Sequence, residues 1–109
     1  MMNSFNCVGN LVGDPVFYDG ETPRVVFRLA IDHNGKPVEG RKNAEFLDFV
    51  AWRNVAKYIA EYAHKGDRIE IHNAMAKNHE YTNANGDKVS RVEFEVENVC
   101  IGNRVKTKE

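Results

Sequence analysis

The chain has 109 residues, close to the usual size of one folded domain and long enough to build a core without disulfides or metals. It is 42% hydrophobic and 28% charged, which excludes a mainly disordered or fibrous protein. The net charge is −1, so the sequence lacks the strongly basic balance of most duplex-binding modules. No apolar run approaches the ~20 residues of a membrane-spanning helix, and the chain does not open with a signal peptide. We therefore expect one cytoplasmic domain with no membrane contact.

Two cysteines are present, Cys7 and Cys100, near opposite ends of the chain. Each falls in a segment with a strand pattern, and neither belongs to a CxxC motif. We interpret both as small buried hydrophobic residues in a reducing compartment, with a disulfide between them as the alternative. The histidines show no metal-ligand spacing either, so neither a metal nor a cofactor is predicted.

The first two predicted strands show the alternation of apolar and polar residues that is typical of a half-buried sheet. Residues 4–12 alternate and end at the turn-forming sequence GDP. A cluster of turn residues occupies positions 18–23. Residues 24–31 alternate again, and Arg28 lies on the face opposite to the large apolar side chains.

A polar loop over residues 32–43 is the longest irregular stretch. Loops of this length in compact domains are often functional. This loop contains an imidazole and several cations that could contact an anionic ligand. They are His33, Lys36, Arg41 and Lys42.

The third predicted strand, residues 44–52, carries large apolar side chains on both faces. A strand with one solvent-exposed face would not need them. Leu47 and Phe49 already occupy one face, which we assign to the core. Phe46 and Trp52 therefore lie on the opposite face.

A helix is predicted over residues 54–65, where apolar residues repeat at helical spacing and Gly66 follows as a stop signal. Two further strands, residues 67–81 and 89–101, are joined by a turn containing Asn, Gly and Asp. Three acidic residues share one face of the last strand, and we expect them to lie away from any anion-binding groove. They are Glu93, Glu95 and Glu97.

The predicted order is therefore three strands, one helix and two strands. An SH3-like barrel or a sandwich also has short strands bounded by turns. A single helix between the third and fourth strands is the order of the OB-fold. We predict an all-β protein, a five-stranded OB-fold Greek-key barrel with one α-helix between strands 3 and 4. Residues 1–104 form the domain, and residues 105–109 a short C-terminal extension.

Three sequence motifs follow one another along this framework. They are VGNL with DP near the start, FRLAI in the second strand, and FLDFVAWR in the third strand, before a helix that ends at KG. In this order the motifs resemble the bacterial single-stranded DNA-binding protein family, and the resemblance covers nearly the whole chain. The family usually has glycine at the position of Asn73.

The resemblance implies a homotetramer, with a dimer as the next alternative, that binds and protects single-stranded DNA without sequence preference. It also implies a role in replication, recombination and repair. In this family aromatic rings stack on bases while cations contact the backbone. By position, Phe46 and Trp52 match two stacking sites and Tyr81 lies near a third. His33 stands in the loop where some members have another ring.

The predicted interface combines these four rings with cations that flank them or lie on the polar loop. The cations are Arg28, Arg53, Lys77, Lys36, Arg41 and Lys42. The alternative for the rings is a place in the core, and the alternative for each cation is a solvated surface position. Asp48, on the same face as Phe46, would oppose phosphate binding, and we expect it to bond to an arginine or a base edge.

No convergent set of acid, base and nucleophile is present, so we predict neither an enzyme nor a small-molecule substrate. The alternative function is a protein-interaction or assembly domain with the same fold, which burial of Phe46 and Trp52 would favour. The first strand is a candidate edge for pairing with a second subunit.

Typical members of the family continue into a flexible tail with an acidic tip that recruits other proteins. This sequence ends at Glu109 without such a tip, so tail-mediated partners are not expected for these residues. The resemblance places the protein in the bacterial cytoplasm, as a cellular protein or as one from a phage or mobile element that acts in a bacterial host.

Overall fold

The computed structural model of the protein describes residues 2–32 and 44–102. Its elements, in chain order, are β1 (Phe5–Leu11), β2 (Val16–Tyr18), β3 (Arg24–Asp32), β4 (Ala44–Trp52), α1 (Arg53–Tyr62), β5 (Arg68–Thr82), β6 (Lys88–Glu95) and β7 (Asn98–Gly102). Within the described ranges, no helix is long and apolar enough to cross a membrane.

Five of the strands form a closed circuit of backbone pairings. β1 pairs with β3, β3 with β4, β4 with β6, β6 with β5, and β5 again with β1. The β4–β6 pairing is parallel and the other four are antiparallel. This circuit, with α1 between β4 and β5, confirms the predicted OB-fold.

The short strand β2 is not among the predicted strands. The predicted turn cluster begins at residue 18, and residues 16–17 fall in the connection before it. Val16 pairs with Val26 of β3, and Tyr18 pairs with Arg24. Three residues are too few for an alternating pattern to be recognised. The pairing gives β3 an extra neighbour at one end.

The predicted last strand, residues 89–101, is in fact two strands, β6 and β7, with a bend between them. The cause lies in their long partner β5, whose first half pairs with β1 and β7 and whose second half pairs with β6. Asn73 stands between the two halves with a φ of 61°. This left-handed conformation favours glycine and is also tolerated by asparagine, so the backbone at Asn73 suits either residue.

The core is filled by the inward-facing residues that the alternation predicted. Phe49 is 1% exposed. Its ring lies 5.5 Å from that of Phe27, 5.6 Å from that of Phe94 and 6.2 Å from that of Phe5. Helix α1 packs against β3 and β4 and buries Ile59 in the same cluster.

Helix α1 ends at Tyr62, earlier than the predicted 54–65. Asp67, which is buried, accepts a hydrogen bond from the backbone N–H of His64 at 2.9 Å. This N–H therefore bonds to a side chain instead of to a main-chain carbonyl of α1, and the helix does not continue through His64. Gly66 lies beyond the helix end in a turn, with a φ of 89°.

The two cysteines are free, and only one is shielded from solvent. Cys7 pairs with Ile71 of β5 and Cys100 pairs with the next residue, Glu70, so their side chains point to opposite faces of the sheet. The predicted burial of Cys100 is wrong because it lies on the outer face of β7, where it is exposed. Partial burial of Cys7 raises the pKa of its thiol to about 11.

The thiols should therefore react at different rates. At pH 8 a pKa of about 11 leaves roughly one Cys7 side chain in a thousand as the reactive thiolate. A maleimide titration followed by mass spectrometry should show rapid addition of one label at Cys100 and slow addition of the second. The variant Cys100→Ser should lose the rapid phase, and rapid labelling of both sites would contradict the burial of Cys7.

Truncation of the central core ring should be severe. Phe49→Ala removes a fully buried ring, and we expect it to lower the free energy of unfolding by about 3–5 kcal/mol. The matched control is Val92→Ala, since Val92 is 63% exposed and its truncation should change stability by less than about 0.5 kcal/mol. Urea denaturation measures both, and equal midpoints for the two variants would contradict the central position of Phe49.

Candidate nucleic-acid interface

A groove lies between the outer face of β3 and β4 and the hairpin formed by β5 and β6. It encloses a cavity of about 480 Å³, within the usual range for ligand sites. The residues that line it are Arg24, Val26, Asp48, Phe49, Val50, His79, Tyr81, Arg91, Val92 and Glu93. The lining therefore combines apolar side chains with charges of both signs.

The floor of the groove is built from cross-strand pairs of β3 and β4. From one end to the other the pairs are Ala30 with Phe46, Arg28 with Asp48, Val26 with Val50, and Arg24 with Trp52. Phe46 is 41% exposed and Trp52 is half-buried. Since they are six positions apart on one strand, the two rings are separated by about 20 Å along β4. The floor thus has an aromatic residue at each end and an ionic pair between them.

The ionic pair belongs to a cluster of two arginines around one carboxylate. Arg28 donates to Asp48 from Nε at 2.7 Å and from Nη2 at 3.1 Å. Arg91 of β6 approaches the same carboxylate, with Nη2 at 3.6 Å from Oδ2. The hydrogen bond from Arg28 holds the pKa of the Asp48 carboxyl below its ordinary value. Asp48 therefore meets an arginine, as the sequence predicted, and an incoming phosphate must compete with it.

The hairpin wall presents a third exposed ring. Tyr81 is 41% exposed, and its ring centroid lies 5.7 Å from that of His79. The His79 ring nitrogen Nδ1 lies 3.7 Å from the Glu93 carboxylate on the neighbouring strand. These three residues alternate along the hairpin, so they share the face turned toward the groove.

The expected separation of the acidic residues from the groove is wrong. Glu93 lines the cavity, Glu95 is paired with Lys77 at 2.6 Å, and Glu97 lies in the bend after β6. The reason is the register of the hairpin, which places Glu93 opposite Lys77 on the concave side. The hydrogen bond to Glu95 raises the pKa of the Lys77 amine.

Two residues at the β2 end of the groove were not predicted as site residues. The Cζ atom of Arg24 lies 4.4 Å from the ring centroid of Tyr18 and 5.9 Å from that of Trp52. Arg24 shares its face with Arg28, four residues further along the same strand, and this spacing could have identified it. Tyr18 could not have been identified in this way because β2 is too short.

Two more groove residues, His79 and Arg91, were also missed. His79 precedes Tyr81 by two positions, so the strand alternation alone would place both on one face. Arg91 lies directly opposite His79 in the hairpin. Recognising it requires the hairpin register, which the turn sequence indicates only approximately.

The structure brings most of the described predicted residues onto or beside this face. Tyr81 lines the cavity, and Lys77 lies on the same face of β5, four residues before it. Phe46, Trp52 and Arg28 lie on the β3–β4 floor, next to lining residues but outside the cavity lining itself. Arg53 is different because it lies outside these strands, exposed at the start of α1 with a φ of 57°. The remaining predicted residues fall outside the described part of the chain. They are His33, Lys36, Arg41 and Lys42.

Metal ligation finds no support in the described ranges. Among residues 2–32 and 44–102, no group of three or more His, Cys, Asp or Glu side chains is arranged to hold a metal ion. The groove offers instead ring faces, guanidinium groups and carboxylates.

Fold and site together define a small OB-fold domain with an exposed groove of aromatic and charged side chains. Residues 2–101 match the single-strand binding protein family, and the chain belongs to that family.

Curated relatives agree with this assignment. The chain is 30% identical over 103 residues to the single-stranded DNA-binding protein of Lactiplantibacillus plantarum, covering 93% of this chain and 51% of the relative. It is 33% identical over 91 residues to single-stranded DNA-binding protein 1 of Lactococcus lactis, covering 82% and 60%. For single-stranded DNA-binding protein 1 of Streptococcus pyogenes the identity is 29% over 103 residues, covering 93% and 78%. The chain thus spans little more than half the length of the first two relatives.

Proposed function

We propose that this chain binds single-stranded DNA without sequence preference, through the groove between the β3–β4 face and the β5–β6 hairpin. Bases stack on Phe46, Trp52 and Tyr81, and cations contact the phosphates. The observation that carries the proposal is the exposure of Phe46 and Tyr81, each 41%, the first on the outer face of β4 and the second on the hairpin that lines the groove. Membership of the single-strand binding protein family and the names of the relatives support it.

Stacking explains why such a site needs no sequence code. Every base has a π-face, so an exposed ring contributes about 1–3 kcal/mol per base whichever base it meets. Rings placed in the core would favour the alternative of an assembly domain, but Phe46 and Tyr81 are open to solvent. Trp52, which is half-buried at the end of β4, offers a third surface.

The cations of the groove provide the second, salt-dependent part of binding. Arg28 of the floor and Arg91 of the hairpin wall both contact Asp48, so a phosphate that displaces the carboxylate can contact both arginines. Lys77 extends the cationic surface along β5, beside Glu95. Such contacts release counterions, so affinity falls as salt rises.

The proposal extends to assembly and biological role. Within the described ranges, Phe5 and residues 7–9 of β1 pair with β5 alone, Asn10 pairs with both β5 and β3, and Leu11 pairs with β3. The first part of β1 is therefore the open edge that subunit pairing needs. We propose a homotetramer, or failing that a dimer, that protects single strands during replication, recombination and repair. It acts in the bacterial cytoplasm, or in the bacterial host of a phage or mobile element, and catalyses no reaction.

Fluorescence of Trp52, the single tryptophan of the chain, tests this proposal directly. Titration with oligo-dT should quench it strongly, and a duplex of equal length should not. Phe46→Ala and Tyr81→Ala should each weaken binding by about 5- to 150-fold, the range that corresponds to the stacking energy of one base.

Tyr58→Ala is the matched control for these variants, since Tyr58 is 42% exposed but lies on α1, away from the groove. It should bind like the wild type. Absence of both quenching and a gel shift with oligo-dT, in a folded protein, would contradict the proposal and favour the assembly domain.

Asp48→Asn should strengthen binding. The change removes a negative charge from the groove floor and releases Arg28 and Arg91 for phosphates. Each released cation that contacts a phosphate should steepen the dependence of log K on log salt by about 0.7. Glu70→Gln makes the same charge change on β5 beside His72, outside the cavity lining, and should leave the slope unchanged. Equal slopes for the two variants, measured by oligo-dT titration at several salt concentrations, would contradict the competition.

A further inference from the structure

Three side chains form a row across the edge of the sheet at one end of the groove. Tyr18 of β2 lies opposite Arg24 of β3, and Arg24 lies opposite Trp52 of β4. Residues in register on adjacent strands point to the same face, so the three side chains share the outer surface of the barrel. Tyr18 is 49% exposed, and the other two are half-buried. The row therefore continues the floor of the groove onto β2.

The guanidinium group of Arg24 connects the two rings. Its Cζ atom lies 4.4 Å from the centroid of the Tyr18 ring and 5.9 Å from that of Trp52, both within the range of cation–π attraction. This attraction acts through the ring faces and uses none of the five N–H donors of the guanidinium. The donors remain available for an anion, and phosphate oxygens fit their forked geometry.

Arg24 differs from the other cations of this surface because it has no carboxylate partner among the described residues. Arg28 and Arg91 share Asp48, and Lys77 is paired with Glu95. Among the described residues, no carboxylate lies within ion-pair distance of Arg24. Of the two arginines that line the cavity, Arg91 therefore approaches a carboxylate, whereas Arg24 carries no ion pair with any residue in 2–32 or 44–102.

We propose that Tyr18, Arg24 and Trp52 form a nucleotide subsite that extends the path of the single strand beyond the groove and onto β2. A base stacks on Trp52, and Arg24 binds the adjoining phosphate. Tyr18 positions the guanidinium and adds a ring surface beside it. The inference rests on the proposed function, because it assumes that the ligand of the groove is a single strand.

The salt dependence of oligo-dT binding tests the role of Arg24. Arg24→Gln should weaken binding several-fold and reduce the slope of log K against log salt by about 0.7, the value expected when one cation no longer neutralises a phosphate of a single strand. The matched control is Arg68→Gln, which removes the same charge from an exposed position at the start of β5, outside the cavity lining. It should leave the slope unchanged.

Tyr18 is tested by a pair of variants. Tyr18→Ala should weaken binding by about five-fold or more, as expected when a stacking surface is removed, whereas Tyr18→Phe keeps the ring and should bind like the wild type. Tyr62→Ala is the control, since Tyr62 is similarly exposed at the end of α1. A full loss of binding in Tyr18→Phe would overturn the assignment, because it would make the hydroxyl rather than the ring responsible.

A purely structural role for the row is distinguishable from a binding role. If Tyr18 and Arg24 only fasten β2 to the barrel, their substitution lowers the urea midpoint and leaves the salt slope of the folded protein unchanged, which would overturn the subsite. A wild-type protein that fails to bind oligo-dT would instead overturn the proposed function. Wild-type binding combined with equal affinities and slopes for Arg24→Gln and Arg68→Gln would overturn the subsite alone.

Discussion

The arrangement of this protein depends on β4, a strand that is apolar on both faces. Phe49 faces the interior of the barrel and packs against three other phenylalanine rings. Val50, the next residue, faces the other way and is 3% exposed, and its backbone carbonyl accepts a hydrogen bond at 2.8 Å from the N–H of Val96, just beyond the end of β6. The hydrophobic effect on both faces holds β4 in register between β3 and β6. The groove lies on the outer side of β4, where residues of the β5–β6 hairpin also line the cavity.

The Asp48 carboxylate offsets part of the positive charge of Arg28 and Arg91, so a chain with a net charge of −1 can still present cations along this groove. The Asp48 carboxylate accepts a hydrogen bond from Arg28 and lies close to Arg91, which is where a phosphate would lie in the proposed complex. In the absence of ligand the carboxylate keeps two like charges close together without strong repulsion. In the proposed binding mode a phosphate would replace the Asp48 carboxylate, so the gain from each phosphate would be smaller than for a free cation. Stacking on the exposed rings requires no such replacement, and the proposal therefore assigns it the larger share of the affinity.

The sequence allowed the fold and the β3–β4 face to be predicted, since alternation over nine residues is a strong signal and the position of α1 selects the OB-fold. It also allowed the exposure of Phe46 to be predicted, because Leu47 and Phe49 fill the core side. The misplaced Glu93 has a different origin. Which face of β6 turns toward the groove depends on how β6 pairs with β5 and with β4, and the local alternation of β6 does not indicate this tertiary arrangement.

The unpredicted strand β2 shows how an edge can enlarge a site. An edge strand has one unpaired side, and β2 is also short, as protected edges usually are. Its pairing with β3 places the exposed ring of Tyr18 beside Arg24, so the strand adds ring surface where the cation is uncompensated. At the opposite end of the floor, Ala30 is the cross-strand partner of Phe46 on β3. The proposed subsite would therefore hold a backbone phosphate at the β2 end of the floor, where the Arg24 guanidinium lies between two rings.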